Sequence, residues 1–287
     1  MNVSSFQKLY QLVKDRPAKR VVLVAAEDPD LIAAATRAQA EGLATFVLVG
    51  DARKIQTLTA SGNVDFEIVD SRNPALDAVA LIHQGGGDLL MKGKIATSDL
   101  LTVVLNHESG LRQGELLNHI AVIESPHYHK LLFISDGGIN LHLDEHVFEQ
   151  MVYNNSAYLK KLGIQHPRFG MLTLVETVNE KIPETVIARN VVNKLSPEFL
   201  IEGPMAPDVA LSKKAAEKKG QESKIAGEVD VFLMPNTTAA NHLVKGLAAL
   251  GGCKVGGLIV GAQVPIILLS RSDDAASKYR SILLGLV

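Results

Sequence analysis

Val21-Val22-Leu23-Val24-Ala25-Ala26-Glu27-Asp28-Pro29 decides the architecture. Six apolar residues rich in valine follow the charged pair Lys19-Arg20 and stop at an acidic pair and a proline. A short apolar run of this kind is a strand buried on both faces, as in a parallel sheet. Asp28 is suited to cap a helix and Pro29 to open one, because a helix's first amides have no carbonyl partner within the helix. The helix is expected to run to about Glu41 and to stop at Gly42. Working outward, the alternation repeats. Strands are predicted over 45–49, 64–69 and 89–91, with helices after Asp51 and over 74–84. The first half therefore reads as an α/β lobe with helices on both faces of a parallel sheet.

The second half continues in kind. Strands are expected over 120–124, 131–135, 169–174, 199–202, 229–234, 255–260 and 264–269. Helices are expected over 145–161, 183–194, 208–219 and 237–250, and from Asp273 to the end. No linker rich in Pro, Gly and Ser divides the chain, and no repeat of fixed period is present. The weakest candidate boundary lies near Leu117–Ala121, after a long loop around 106–114. The expected division is 1–120 plus 260–287 for one lobe and 121–259 for the other.

Composition narrows the function classes. The chain has 287 residues, with 29 Lys and Arg against 31 Asp and Glu, a net charge of −2. That balance lacks the basic bias of a nucleic-acid binder. The lone Cys253 excludes a disulfide framework and a CxxC site. No apolar stretch is long enough to span a membrane, and the N-terminus has no signal-peptide pattern. A cytoplasmic enzyme or binding protein is expected. His127-Tyr128-His129 and the pair His142 and His146 are the tightest histidine sets, but no H-E-x-x-H accompanies them, so no metal site is assigned. The G-x-G-x-x-G fingerprint and the G-x-S-x-G elbow are both absent.

Ligands of open α/β sheets bind beyond the carboxyl ends of the strands. Four such places carry chemistry. At Met91-Lys92-Gly93-Lys94-Ile95-Ala96-Thr97-Ser98-Asp99, a glycine between two lysines precedes a helix start capped by Thr97 or Ser98, which suits an anion. At Ser135-Asp136-Gly137-Gly138-Ile139-Asn140, Asp136 stands at a strand end; it orients a cationic or hydroxyl group, takes a proton, or bonds its own turn. At Pro235-Asn236-Thr237-Thr238-Ala239-Ala240-Asn241, a threonine cap leaves Asn241 unexplained. At Leu269-Ser270-Arg271-Ser272-Asp273-Asp274, a hydroxyl and a guanidinium sit where phosphate would bind, unless Arg271 pairs with a neighbouring aspartate.

Taken in order, these segments resemble the phosphate acetyl/butyryl transferase family over nearly the whole chain. Further matching stretches are Gly110-Leu111-Arg112, Gly203-Pro204-Met205-Ala206-Pro207-Asp208, Lys224-Ile225-Ala226-Gly227-Glu228-Val229-Asp230-Val231 and Pro265 to Arg271. Gly110-Leu111-Arg112 and the continuation Ser272-Asp273-Asp274 are similar to the butyryl branch, and Lys92-Gly93-Lys94 departs from the acetyl branch. The resemblance implies a two-lobe, three-layer α/β sandwich of the isocitrate/isopropylmalate dehydrogenase type and a homodimer or higher homo-oligomer. It implies the reaction acyl-CoA + phosphate ⇌ acyl phosphate + CoA. Coenzyme A is then substrate and product, and no metal, organic cofactor, nucleic acid or membrane is involved. Butyryl or branched short-chain thioesters are the expected substrates, with acetyl-CoA the alternative. A non-catalytic regulator binding CoA or a phosphate compound is a further alternative. In the implied site Ser270 and Arg271 hold phosphate, with Lys92, Gly93 and Thr97 opposite. Asn241 binds the carbonyl or the pantetheine, and Thr237 and Asp273 border the substrates. Asp136 or Asp273 handles the thiol proton.

Overall fold

A computed structural model of the chain describes residues 3–60, 62, 64–114, 116–268 and 273–287. In chain order the elements are α1 (Phe6–Lys14), β1 (Lys19–Val24), α2 (Pro29–Ala40), β2 (Ala44–Gly50), α3 (Ala52–Thr59), β3 (Glu67–Asp70), α4 (Pro74–His83), β4 (Leu89–Lys92) and α5 (Thr97–Val104). Then come β5 (Asn118–Glu124), β6 (Leu132–Ser135), α6 (Glu145–Lys161), β7 (Arg168–Leu172), α7 (Pro183–Leu195), β8 (Leu200–Met205), α8 (Pro207–Leu211) and α9 (Lys213–Lys218). Last are β9 (Val231–Leu233), α10 (Thr237–Leu250), β10 (Lys254–Val260), β11 (Ile266–Ile267) and α11 (Ala275–Gly285). The fold is mixed α/β.

The chain forms two compact units, one of residues 6–117 and 256–287, the other of residues 118–255 with 3–5. In the first, the strand order is β3-β2-β1-β4-β11-β10. Pairs β1–β2, β1–β4, β2–β3 and β4–β11 are parallel, while β10–β11 is antiparallel. Val21 to Val24 and Leu89 to Met91 are completely buried, as a doubly covered sheet requires. Asp28 caps α2 by accepting from the Leu31 amide at 2.9 Å. In the second unit the order is β5-β6-β9-β7-β8. Here β5–β6 is antiparallel and the other pairs are parallel. Phe133, Phe169 and Phe232 are fully buried, each contributing roughly 1.5–3 kcal/mol of apolar burial.

Several elements differ from the sequence reading, among them the strand expected over 264–269, observed as Ile266–Ile267, and the strand expected over 64–69, observed as Glu67–Asp70. Helix α1 lies in a stretch for which no element was expected; it buries Phe6, Leu9 and Val13, a one-sided helical spacing. Strand β8 does not stop at Glu202 but runs through Gly203-Pro204 to Met205. The single helix expected over 208–219 is two helices. Ser212 breaks it with extended backbone (φ −146°, ψ 113°), and its hydroxyl accepts from the Ala215 amide at 3.2 Å, starting α9 afresh.

Candidate active site

The candidate residues divide between the units. Lys92, Gly93, Thr97 and Asp273 belong to the first; Asp136, Thr237 and Asn241 belong to the second. Ser270 and Arg271 lie outside the described residues.

At the carboxyl end of β4, the Lys92 side chain is buried, with Nζ 3.3 Å from the Gly93 carbonyl. Gly93 is required by crowding: a Cβ there would stand 2.2 Å from the Ala25 carbonyl oxygen and 2.4 Å from that of Val24. The Gly93 and Lys94 amides donate to those carbonyls of Val24 and Ala25, each at 2.7 Å. These two amides therefore hold the turn against the end of β1, and the free amides the sequence reading assigned to an anion are those at the start of α5. Ala25 accommodates the arrangement with φ +52°, uncommon for a residue with a Cβ. Ala96, not Thr97 or Ser98, stands at the N-cap of α5, and no side chain caps the helix. Thr97 is the first helical residue and is half-buried. Asp273 is half-buried, and the next residue, Asp274, caps α11 by accepting from the Ser277 amide at 2.8 Å. That bond, with a further one from the Ser277 hydroxyl, holds the Asp274 carboxyl below its ordinary value.

In the second unit the Asp136 carboxylate is wholly enclosed by its own loop. It accepts from the amides of Gly138 at 2.7 Å, Ile139 at 3.0 Å and Asn140 at 3.1 Å, and from Asn140 Nδ2 at 2.5 Å. Four donors occupy both oxygens, so of the roles open in the sequence the turn-organising one matches the geometry. The Asn140 carbonyl accepts from the Thr237 hydroxyl, which joins this loop to the start of α10. Asn236, rather than a threonine, is the cap of α10; its Oδ1 accepts from the Ala239 amide at 2.8 Å. Thr237 is thereby released for the loop contact. Asn241 lies in α10 and is half-buried, and no side-chain hydrogen bond of it is seen among the described residues.

Other residues of the family-like stretches do structural work. Asp230 binds Lys130 Nζ at 2.6 Å and the Arg168 amide at 2.8 Å, tying β6, β7 and β9 together where they begin. Ser223 donates to Glu202 at 2.5 Å and accepts from the amides of Ile225 and Ala226. Asp208 pairs with Lys219, which holds its carboxyl low. A cavity of about 680 Å³ lined by Ser156, Lys160 and His166 adjoins the residues that precede β7 and β8. It therefore lies at the opposite strand ends from the Asp136 loop. Among the described residues no group of three or more His, Cys, Asp or Glu could hold a metal, and no helix is long and apolar enough to cross a membrane.

Phosphate butyryltransferase of Clostridium acetobutylicum is 35% identical over 99% of this chain and 97% of its own length. Phosphate acetyltransferase of Rhizobium meliloti is 35% identical over 93% of this chain and 87% of its own. The crystal structure of a branched-chain phosphotransacylase from Enterococcus faecalis superposes with a TM-score of 0.83 at 28% identity, covering 93% of this chain and 97% of that one. Residues 4–78 and 67–285 match the family described as "Phosphate acetyl/butaryl transferase". The chain belongs to the phosphate acetyl/butyryl transferase family.

Proposed function

We propose that the protein transfers a butyryl or branched short-chain acyl group between coenzyme A and inorganic phosphate. The observation that carries this reading is family membership over nearly the whole chain. A phosphate oxygen attacks the thioester carbonyl, a tetrahedral anion forms, the C–S bond breaks, and the leaving thiolate takes up a proton. In reverse, CoA thiolate attacks the acyl phosphate and phosphate departs. Donors aimed at the tetrahedral oxygen matter most, and holding two substrates side by side supplies much of the rest.

Arg271 and Ser270 are the proposed phosphate ligands, with Lys92 and the uncapped start of α5 at Thr97 adding positive potential. The side-chain amide of Asn241 suits the reacting carbonyl or the pantetheine. The enclosed carboxylate of Asp136 favours a role in shaping its loop, which leaves Asp273 as the candidate for the thiol proton. CoA is substrate, and the chemistry asks for no metal or organic cofactor. The reading extends to the isocitrate/isopropylmalate dehydrogenase type of two-lobe fold, a homodimer and a cytoplasmic setting. Light scattering on the purified protein tests the dimer.

Acetyl transfer is the second reading, favoured by the equal identity to the Rhizobium meliloti acetyltransferase. Incubating the protein with acetyl-, propionyl-, butyryl-, isobutyryl- and isovaleryl-CoA, with and without phosphate, separates the readings. Thiol release that needs phosphate and is fastest with a four- or five-carbon thioester is expected. Release without phosphate, or none at all, overturns the proposal. Arg271→Ala is expected to raise the KM for phosphate and lower turnover at least tenfold.

A further inference from the structure

Behind the Asp136 loop lies a run of buried amides and a hydroxyl that the transfer chemistry does not itself call for. Asn118 at the start of β5, Ser135 at the end of β6 and Asn155 on α6 are each completely buried. Asn118 Nδ2 donates to Ser135 Oγ at 2.9 Å and to Asn155 Oδ1 at 2.8 Å. Asn154 Nδ2 donates to Asn118 Oδ1 at 3.0 Å. The Ser135 hydroxyl in turn donates to the His119 carbonyl at 3.1 Å. That same carbonyl accepts from the Gly137 amide at 3.2 Å. One oxygen thus holds the residues on both sides of Asp136. The approach is close: a Cβ on Gly137 would lie 2.2 Å from His119 Nδ1.

An apolar junction would pack here without needing partners, whereas a polar ladder fixes direction as well as distance. Asn155 shows which is retained. Its Oδ1 is used by Asn118, while its own Nδ2 is buried without an acceptor among the described residues. The Asn118 amide is oriented with its Nδ2 toward Ser135 and Asn155 and its Oδ1 toward Asn154.

We propose that Asn118 is a positioning residue for acyl transfer. Through Ser135 and the His119 carbonyl it sets the pitch of the 136–140 loop. That loop holds Thr237 through the Asn140 carbonyl, and with it the first turns of α10 that carry Asn241. The inference rests on the reading that this loop and α10 border the substrates.

The test uses full-length protein and the phosphate-dependent thiol assay with butyryl-CoA. Ser135→Ala removes the hydroxyl with little change of volume; Asn118→Asp keeps the shape and replaces the donor. Each is expected to lower kcat at least tenfold per folded molecule. The double variant is expected to fall no further than the worse single one, because both cut one chain. Amide hydrogen exchange at 137–140 is expected to quicken in both single variants, while exchange in β1 stays as in the wild type. A purely structural role would leave kcat per folded molecule alone. Singles within twofold of wild type, or losses that multiply in the double variant, overturn the inference. Should Asn118→Asp fail to fold, Ser135→Ala decides it. A wild-type protein that releases no thiol overturns the transfer reading instead, and unchanged exchange at 137–140 then overturns the ladder as well.

Discussion

Gly93 and Asp136 show how much a single position carries. At Gly93 any Cβ meets two backbone carbonyls, which cannot swing aside as a side chain can. Gly93→Ala is therefore expected to cost about 3 kcal/mol or more, at the upper end for forced overpacking, read as a lower urea midpoint. Asp136→Asn turns one acceptor into a donor facing the loop's own N–H groups. We expect stability to fall by about 1–3 kcal/mol, the cost of leaving a buried polar group unmet. We also expect kcat to fall at least tenfold. If Asp136 organises the loop, the remaining activity keeps the wild-type pH profile; a flattened profile would assign it the proton instead. The sequence placed Asp136 and Gly93 at strand ends correctly. It could not show that the Gly93 and Lys94 amides are taken by β1, because that pairing joins residues far apart in the chain.

At the level of elements, legibility followed local signals. Helices over 145–161 and 237–250 match their observed bounds, since each has a capping side chain and an unbroken helical stretch. The break at Ser212 was readable in principle, because a serine three residues before Ala215 is a cap signal inside a helical stretch. Helix α1 is short and has only three buried residues to announce it. Strand β11 is two residues long, and no local pattern fixes such a length. Caps also carry pH dependence. The Asp274 carboxyl lies below its ordinary value of 3.8 in the folded protein, chiefly through the Ser277 amide. Its contribution is present in full above that value and is lost as pH falls through the lowered folded value. Asp274→Asn, an equally good cap, is expected to match wild type in urea midpoint at pH 7. As pH falls from about 5 to about 3, it is expected to lose less stability than wild type does.

For the whole chain, the feature that matters is discontinuity. One unit is built from residues 6–117 and 256–287, the other mainly from the continuous run 118–255. In the discontinuous unit β11 pairs with β4, and α11 buries Ile282, Leu283 and Leu284. A fragment of residues 118–255 is therefore expected to fold alone and unfold cooperatively by circular dichroism. A fragment ending at residue 117 is expected to lack stable structure until one carrying 256–287 is added. A cooperative transition in the fragment ending at residue 117, on its own, would contradict this.

The same feature bears on how the chain is born. The strand that pairs beside β4 on this side, β11, is made long after β4 itself. At roughly 5–20 residues per second, the half-built sheet waits on the order of ten seconds or more with that edge unpaired. During that interval Leu89, Leu90 and Met91, all fully buried in the finished protein, lack part of their cover. The growing polypeptide is thus a natural client for chaperones that shield apolar strands, and a nonsense mutation just ahead of β11 would strand the earlier-made segment rather than the later one.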